Sequence, residues 1–138
     1  MFDLFKLILN INKNTVDIKL EVNYVKIYPD LVINLFSLAK SCQNSGEFYI
    51  FTCVCGEPKC ANIYKGVSVT QQPNKIVWNL EIDSIEHQFI FDPIIYQRNI
   101  DQVIFQLKEL HTNQKGSISL AIFGQRWQDL VNLNTQVF

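Results

Sequence analysis

The stretch Phe89-Ile90-Phe91-Asp92-Pro93, continuing from Ile94 to His111, changes its apolar period partway along. Phe89 to Phe91 is an apolar run that predicts a strand, and Asp92-Pro93 breaks it. Beyond the break, Ile100, Val103, Ile104, Leu107 and Leu110 recur every three or four residues, the stripe of an amphipathic helix over 99–111. Asn99 with Gln102 three residues on resembles a capping box and marks the expected helix start. His111 falls in the last turn, where an imidazole meets the negative end of the helix dipole and adds stability. A turn over 113–116 then leads to an expected strand over 117–123.

The same order occurs upstream. Leu31, Leu35, Leu38, Ala39 and Cys42 form one helical stripe. Pro29-Asp30 suits its entrance and Asn44-Ser45-Gly46 its exit, so a helix is expected over 30–42. Phe48-Tyr49-Ile50-Phe51 is apolar on both faces and predicts a central strand over 48–52 that runs straight into Cys53 and Cys55. Val67 and Val69 continue a strand, and Ile76, Trp78, Leu80 and Ile82 alternate with Val77, Asn79, Glu81 and Asp83. The loop Gln71-Gln72-Pro73-Asn74 joins these two as a hairpin. Near the amino terminus, Phe5, Leu7, Leu9 and Ile11, a turn at Asn12-Lys13-Asn14, and Ile18, Leu20, Val22 and Tyr24 predict a hairpin over 4–25.

These elements define an expected α+β fold: a mainly antiparallel sheet with two amphipathic helices packed on one face and a weak strand-helix-strand repeat. One domain spans 1–138. Leu35, Leu38, Trp78, Val103, Ile104 and Leu107 are the expected core. Over 125–138 the pattern leaves the element type open, with a short helix around Trp127 to Val131 as one solution.

At 138 residues the chain is long enough to bury a core without staples. Its 48% hydrophobic and 18% charged composition excludes intrinsic disorder. A formal net charge of -1 leaves no excess to neutralise phosphates, so nucleic acid is not an expected partner. No apolar run reaches the length of a membrane span. The first ten residues lack a basic leader and a small-residue cleavage site, so they read as a strand and the protein as cytoplasmic. Five glycines form no phosphate-binding loop, and no Ser or Cys has a nearby His and acid in the pattern of a nucleophile and its base.

Chemistry concentrates in Cys53-Val54-Cys55-Gly56-Glu57-Pro58-Lys59-Cys60. On one strand, Cys53 and Cys55 would point to the same face, and the following tight turn can return Cys60 beside them. Three converging thiols are compatible with a zinc site if His87, His111, Cys42 or water supplies the fourth ligand. They are also compatible with a thiol pair of redox function, but the expected role is that of small buried side chains packing a turn without a bound metal. Zinc is the one cofactor this segment could serve. In a reducing compartment the four cysteines are expected as free thiols.

Cys53, Cys55, Gly56 and Cys60, followed by Gly66-Val67-Ser68-Val69, Trp78, Phe91-Asp92 and Tyr96, resemble a group of uncharacterised small bacterial proteins with a Cys-x-Cys-Gly-x-x-Gly-Cys pattern. Lys59 departs from that pattern, where the group has glycine. The resemblance covers the central third of the chain and implies a shared fold and a bacterial origin, without an activity.

His87 stands beside Glu86 at an expected strand entrance, where it could orient a proton or lie on the surface. Asn79, Glu81 and Asp83 lie on the polar side of a strand and are the expected partner-binding residues. By elimination the chain is expected to be a non-enzymatic protein-binding domain, in concrete form an immunity protein that neutralises a cognate toxin. The alternative is a zinc-binding or thiol-based domain built on Cys53, Cys55 and Cys60. Composition does not speak to oligomeric state.

Overall fold

The amino-terminal alternation folds as β1 (Phe5–Ile11) and β2 (Thr15–Val22), antiparallel in the register Phe5↔Val22 to Ile11↔Val16. In this computed structural model, which describes residues 1–55, 65–113 and 121–133, Val16, Ile18, Leu20 and Val22 are buried while their neighbours are partly exposed. Period two thus selects one face for the core. The other edge of β2 carries β3 (Val25–Ile27), antiparallel, and β10 (Ala121–Ile122), parallel. A second sheet has the order β5-β7-β8-β9, formed by Gly46–Phe48, Val67–Gln72, Lys75–Ile82 and Ile85–Phe91. The short pair β4 (Val32–Ile33) and β6 (Phe51–Thr52) makes a third.

The mixed and mainly antiparallel architecture is the expected one, but its sheet is divided. Phe48 to Thr52 does not form one strand, because Tyr49-Ile50 steps the chain from the β7 edge to β4. At the step, buried Ile50 still satisfies its carbonyl by accepting the Asn34 N–H at 2.7 Å. The two larger sheets meet at Asp3. Its N–H donates to the Ile90 carbonyl at 2.7 Å, and its carboxylate accepts the Ile90 N–H at 2.8 Å and the Asn23 amide at 2.9 Å. One residue thereby clips the free edge of β9 to the β2–β3 turn.

Both expected helices exist with different starts. Helix α1 covers Leu35–Ser41 rather than 30–42. Val32 and Ile33 pair with Thr52 and Phe51 instead, so strand pairing wins over the local stripe. Asn34 then caps the helix by accepting the Ser37 N–H at 2.9 Å. Helix α2 covers Pro93–Thr112, a turn and a half earlier than expected. Asp92-Pro93 breaks the strand by starting the helix: Asp92 accepts the Ile94 N–H at 2.9 Å, and Pro93 takes the first turn, where no N–H is needed. Asn99 is therefore no cap; it sits mid-helix, donating to the Ile95 carbonyl and accepting the Leu7 N–H. Helix α3 (Trp127–Val131) is the short helix offered as one solution for 125–138, of which 134–138 lie outside the described residues. The expected strand at 117–123 lies mostly outside the described residues.

Helix α2 packs against β1, α1 and α3 over a single apolar cluster. All six expected core residues are at most 4% exposed. Trp78 is at the centre: its ring meets Phe91 edge-on at 5.2 Å, Phe5 at 6.0 Å, Tyr96 at 6.1 Å and Phe51 at 6.4 Å. Its indole N–H donates to the Tyr96 hydroxyl at 3.2 Å, which also pairs with Ser41 Oγ at 2.5 Å, and Ser41 Oγ donates to the Leu38 carbonyl. Every polar atom of this buried chain has a partner, as a low-dielectric core demands. Burial holds the Tyr96 hydroxyl well above the ordinary tyrosine range.

Candidate functional site

Two-residue hairpin turns join β2 to β3 at Asn23-Tyr24 and β8 to β9 at Asp83-Ser84. All four residues have positive φ, from 51° to 69°, the backbone sense that matches the strand twist in tight hairpins. Between these hairpins lies an open groove of about 650 Å³. Its apolar floor includes Val22, Ile27, Leu31, Ile82 and Phe89, and its rim carries the charged Lys26, Asp30 and Asp83 beside His87. Tyr24 in the first turn, and Val25 and Ile85 directly after the two turns, are 79%, 62% and 61% exposed.

Tyr28 forms one wall. It has φ +50° without glycine's freedom, its ring packs edge-on against Phe51 at 5.1 Å, and its hydroxyl donates to the Glu81 carbonyl. Burial first, then the charges of Asp83 and Glu81, push that hydroxyl above its ordinary value. A smaller cavity of about 210 Å³ lies on the other side of Tyr28, reaching Phe48, Ile50 and Leu80.

His87 is half-buried inside β9, which begins at Ile85 and so removes the expected strand entrance. Its ring stacks on Phe89 at 6.2 Å and lines the groove with Asp83. The three expected partner-binding residues divide between two places. Asn79, accepting from Gln88 Nε2 at 3.2 Å, and exposed Glu81 face outward on β8. Asp83 is in the turn and reaches the groove. Glu81 stands directly opposite Glu86, whose charge is paired with Lys65 at 3.5 Å. His111 is exposed in the last turn of α2 as expected, its ring 5.3 Å from that of Trp127.

Cys53 and Cys55 lie in a turn after β6 rather than on a strand. The expectation of free thiols is corrected for this pair, which is joined as a disulfide with Cα atoms 5.4 Å apart, a separation disulfides normally span. The turn is anchored through Val54, whose carbonyl accepts the Gly124 N–H at 2.8 Å. Gly124 has φ +85°, and a Cβ there would meet Val32 Cγ2 at 2.6 Å, so glycine alone fits this close approach. Cys60 lies outside the described residues. Neither Cys53 nor Cys55 lines the groove that His87 faces. Among the described residues no group of three or more His, Cys, Asp or Glu is arranged to hold a metal.

Cys42 remains a free thiol packed against the core, as its place on the stripe implied. Burial, reinforced by the charge of Asp101, pushes it up to about 12. Such a thiol stays protonated and unreactive near neutral pH. Among the described residues no helix is long and apolar enough to cross a membrane.

Tyr24, expected to continue the inward alternation of the second strand, is instead an exposed turn residue, because β2 ends at Val22; Val25, Tyr28 and Ile85 escaped sequence reading. The available signal was Val22-Asn23-Tyr24-Val25, apolar residues enclosing an Asn-led turn, but Tyr in a positive-φ position hides it. No family model, curated protein or solved structure matches this chain.

Proposed function

We propose that this chain is a non-enzymatic protein-binding module that seats a partner on the two hairpin tips. The observation that carries the reading is the exposed Tyr24, Val25 and Ile85 flanking a groove with an apolar floor and a charged rim. An aromatic and two aliphatic anchors beside a concavity are what an interface core uses. Asp30 and Asp83 on the rim, with Glu81 behind them, favour a basic partner surface. A bacterial immunity protein covering a basic toxin domain is the form of this reading that the acidic side chains of Asp30, Asp83 and Glu81 suit.

Affinity capture from the source cell, followed by binding kinetics on the recovered partner, tests it. Tyr24→Ala and Ile85→Ala are expected to weaken binding by about 10-fold or more, mainly through faster dissociation. Glu81→Lys combined with Asp83→Lys is expected to slow association and flatten its salt dependence. A partner bound equally well by all these variants, or small-molecule turnover by the purified chain, overturns the reading.

The Cys53–Cys55 bond favours a second reading, a thiol-based domain, over its zinc-binding form, since a disulfide supplies zinc with no thiolate. Thiol titration of the unfolded chain without reductant is expected to leave those two sulfurs unreactive. Full reactivity of all four cysteines, with one zinc per chain, would reverse the preference.

A further inference from the structure

The hydrogen-bonding pattern of β1 leaves one side of the strand open. Asn23 N–H donates to the Leu4 carbonyl and Asn12 N–H to the Thr15 carbonyl, so the even-numbered residues Lys6, Ile8 and Asn10 exchange bonds with β2. The N–H and C=O groups of Leu7, Leu9 and Ile11 therefore point away from it. The Leu7 N–H reaches Asn99 Oδ1 at 3.4 Å, a long bond, and among the described residues those of Leu9 and Ile11 have no partner on that side. Beside this edge lies a groove of about 540 Å³ between β1 and α2, lined by Leu9, Ile11, Gln102 and Gln106 among others. The strand has no Pro and no Gly, carries one charge, and ends at Ile11, which is 56% exposed. Natural edges are normally blunted by some of those devices.

We infer that this edge pairs with the same edge of a second copy, forming a two-fold symmetric dimer through antiparallel β1 strands. The strand is its own complement. With Leu9 on the axis, Leu9 exchanges both backbone bonds with Leu9 of the second copy, Leu7 faces Ile11, and Ile8 faces Asn10. Lys6 then stands opposite Asn12, which keeps the two ammonium groups apart. Apolar, nearly uncharged and already extended, β1 has only to exchange the long Leu7–Asn99 bond for one to the second copy, with the Asn99 side chain turning aside. The edge shares no residue with the hairpin groove, so dimer formation and partner binding are separable.

Sedimentation velocity of the full chain over a concentration series tests this. The wild type is expected to show a reversible monomer–dimer equilibrium. Ile11→Pro deletes an outward N–H that the β1–β2 ladder does not use, and symmetry removes that bond twice, so dimerisation is expected to weaken by about a hundredfold with secondary structure retained. Ile11→Lys, which retains the N–H but places a charge opposite Leu7, is expected to act in the same direction and decides the matter if the proline variant fails to fold. Tyr24→Ala is expected to leave the equilibrium unchanged. A wild type that stays monomeric up to about 1 mM, or a dimer indifferent to both Ile11 variants, overturns the inference.

Discussion

Trp78→Ala is expected to cost about 3–5 kcal/mol of folding stability. Trp78 is fully buried and its ring is the common neighbour of Phe5, Phe51, Phe91 and Tyr96, which come from β1, β6, β9 and α2. Elements so distant in sequence cannot collapse together into the space, so most of the cavity persists. The indole N–H partner of Tyr96 disappears with the ring. Since native domains hold roughly 5–15 kcal/mol in total, this single change removes a large share. Urea unfolding measures it, and a loss below about 1 kcal/mol would mean that the aromatic cluster is not the centre of the core.

Alkaline pH is expected to unfold the protein through two buried groups. Cys42 holds its proton up to about 12 in the folded state but releases it near 9 when unfolded. The folded state therefore binds more protons through that window, and stability falls as pH rises from 9 to about 12. Tyr96 adds a second loss above its unfolded value of 10, because burial raises its folded value well beyond that. Each group contributes a slope of up to about 1.4 kcal/mol per pH unit in its window, so the decline steepens above pH 10. Below about pH 8 neither contributes an appreciable slope, because the unfolded Cys42 thiol, with its value of 9.0, is then almost fully protonated as well. Denaturation midpoints between about pH 8 and pH 11 test the sign, with Cys42→Ser expected to flatten the first part of the decline and Tyr96→Phe the second. A midpoint that does not move across this range would show that neither group is sequestered.

The strands with one buried face were the legible part of this sequence. Ile76, Trp78, Leu80 and Ile82 show their alternation because the β8 face they share is buried against the aromatic cluster. What local pattern could not reveal was competition from distant pairing. Val32 and Ile33 lie inside the segment that the stripe from Leu31 to Cys42 reads as helix, and only Phe51 and Thr52, nearly twenty residues on, decide for the strand. Asp92-Pro93 was ambiguous in another way: the same dipeptide ends a strand and opens a helix, and the stripe from Ile100 onward drew attention to the wrong turn. The groove was beyond reach because its walls come from 22–31 and 82–89, and it exists only where the two hairpins are brought together. The outward Asn79 and Glu81 were legible as polar strand positions, whereas Asp83 changes sides because it belongs to a turn.

The clip at Asp3 has a consequence for biosynthesis. Asp3 bonds to Ile90, Leu7 to Asn99, and Asn34 and Leu35 to Gly124 and Gln125, contacts that span 87 to 92 residues of chain. Growing at about 5–20 residues per second, a nascent chain completes its first strands on the order of ten seconds before their partners emerge from the ribosome. During that interval the β1–β2 hairpin carries its apolar face and its open edge together in solvent. Topology of this kind is slow to close and exposed to aggregation while it waits, so yield during synthesis should depend on chaperone supply more than the stability of the finished fold would suggest.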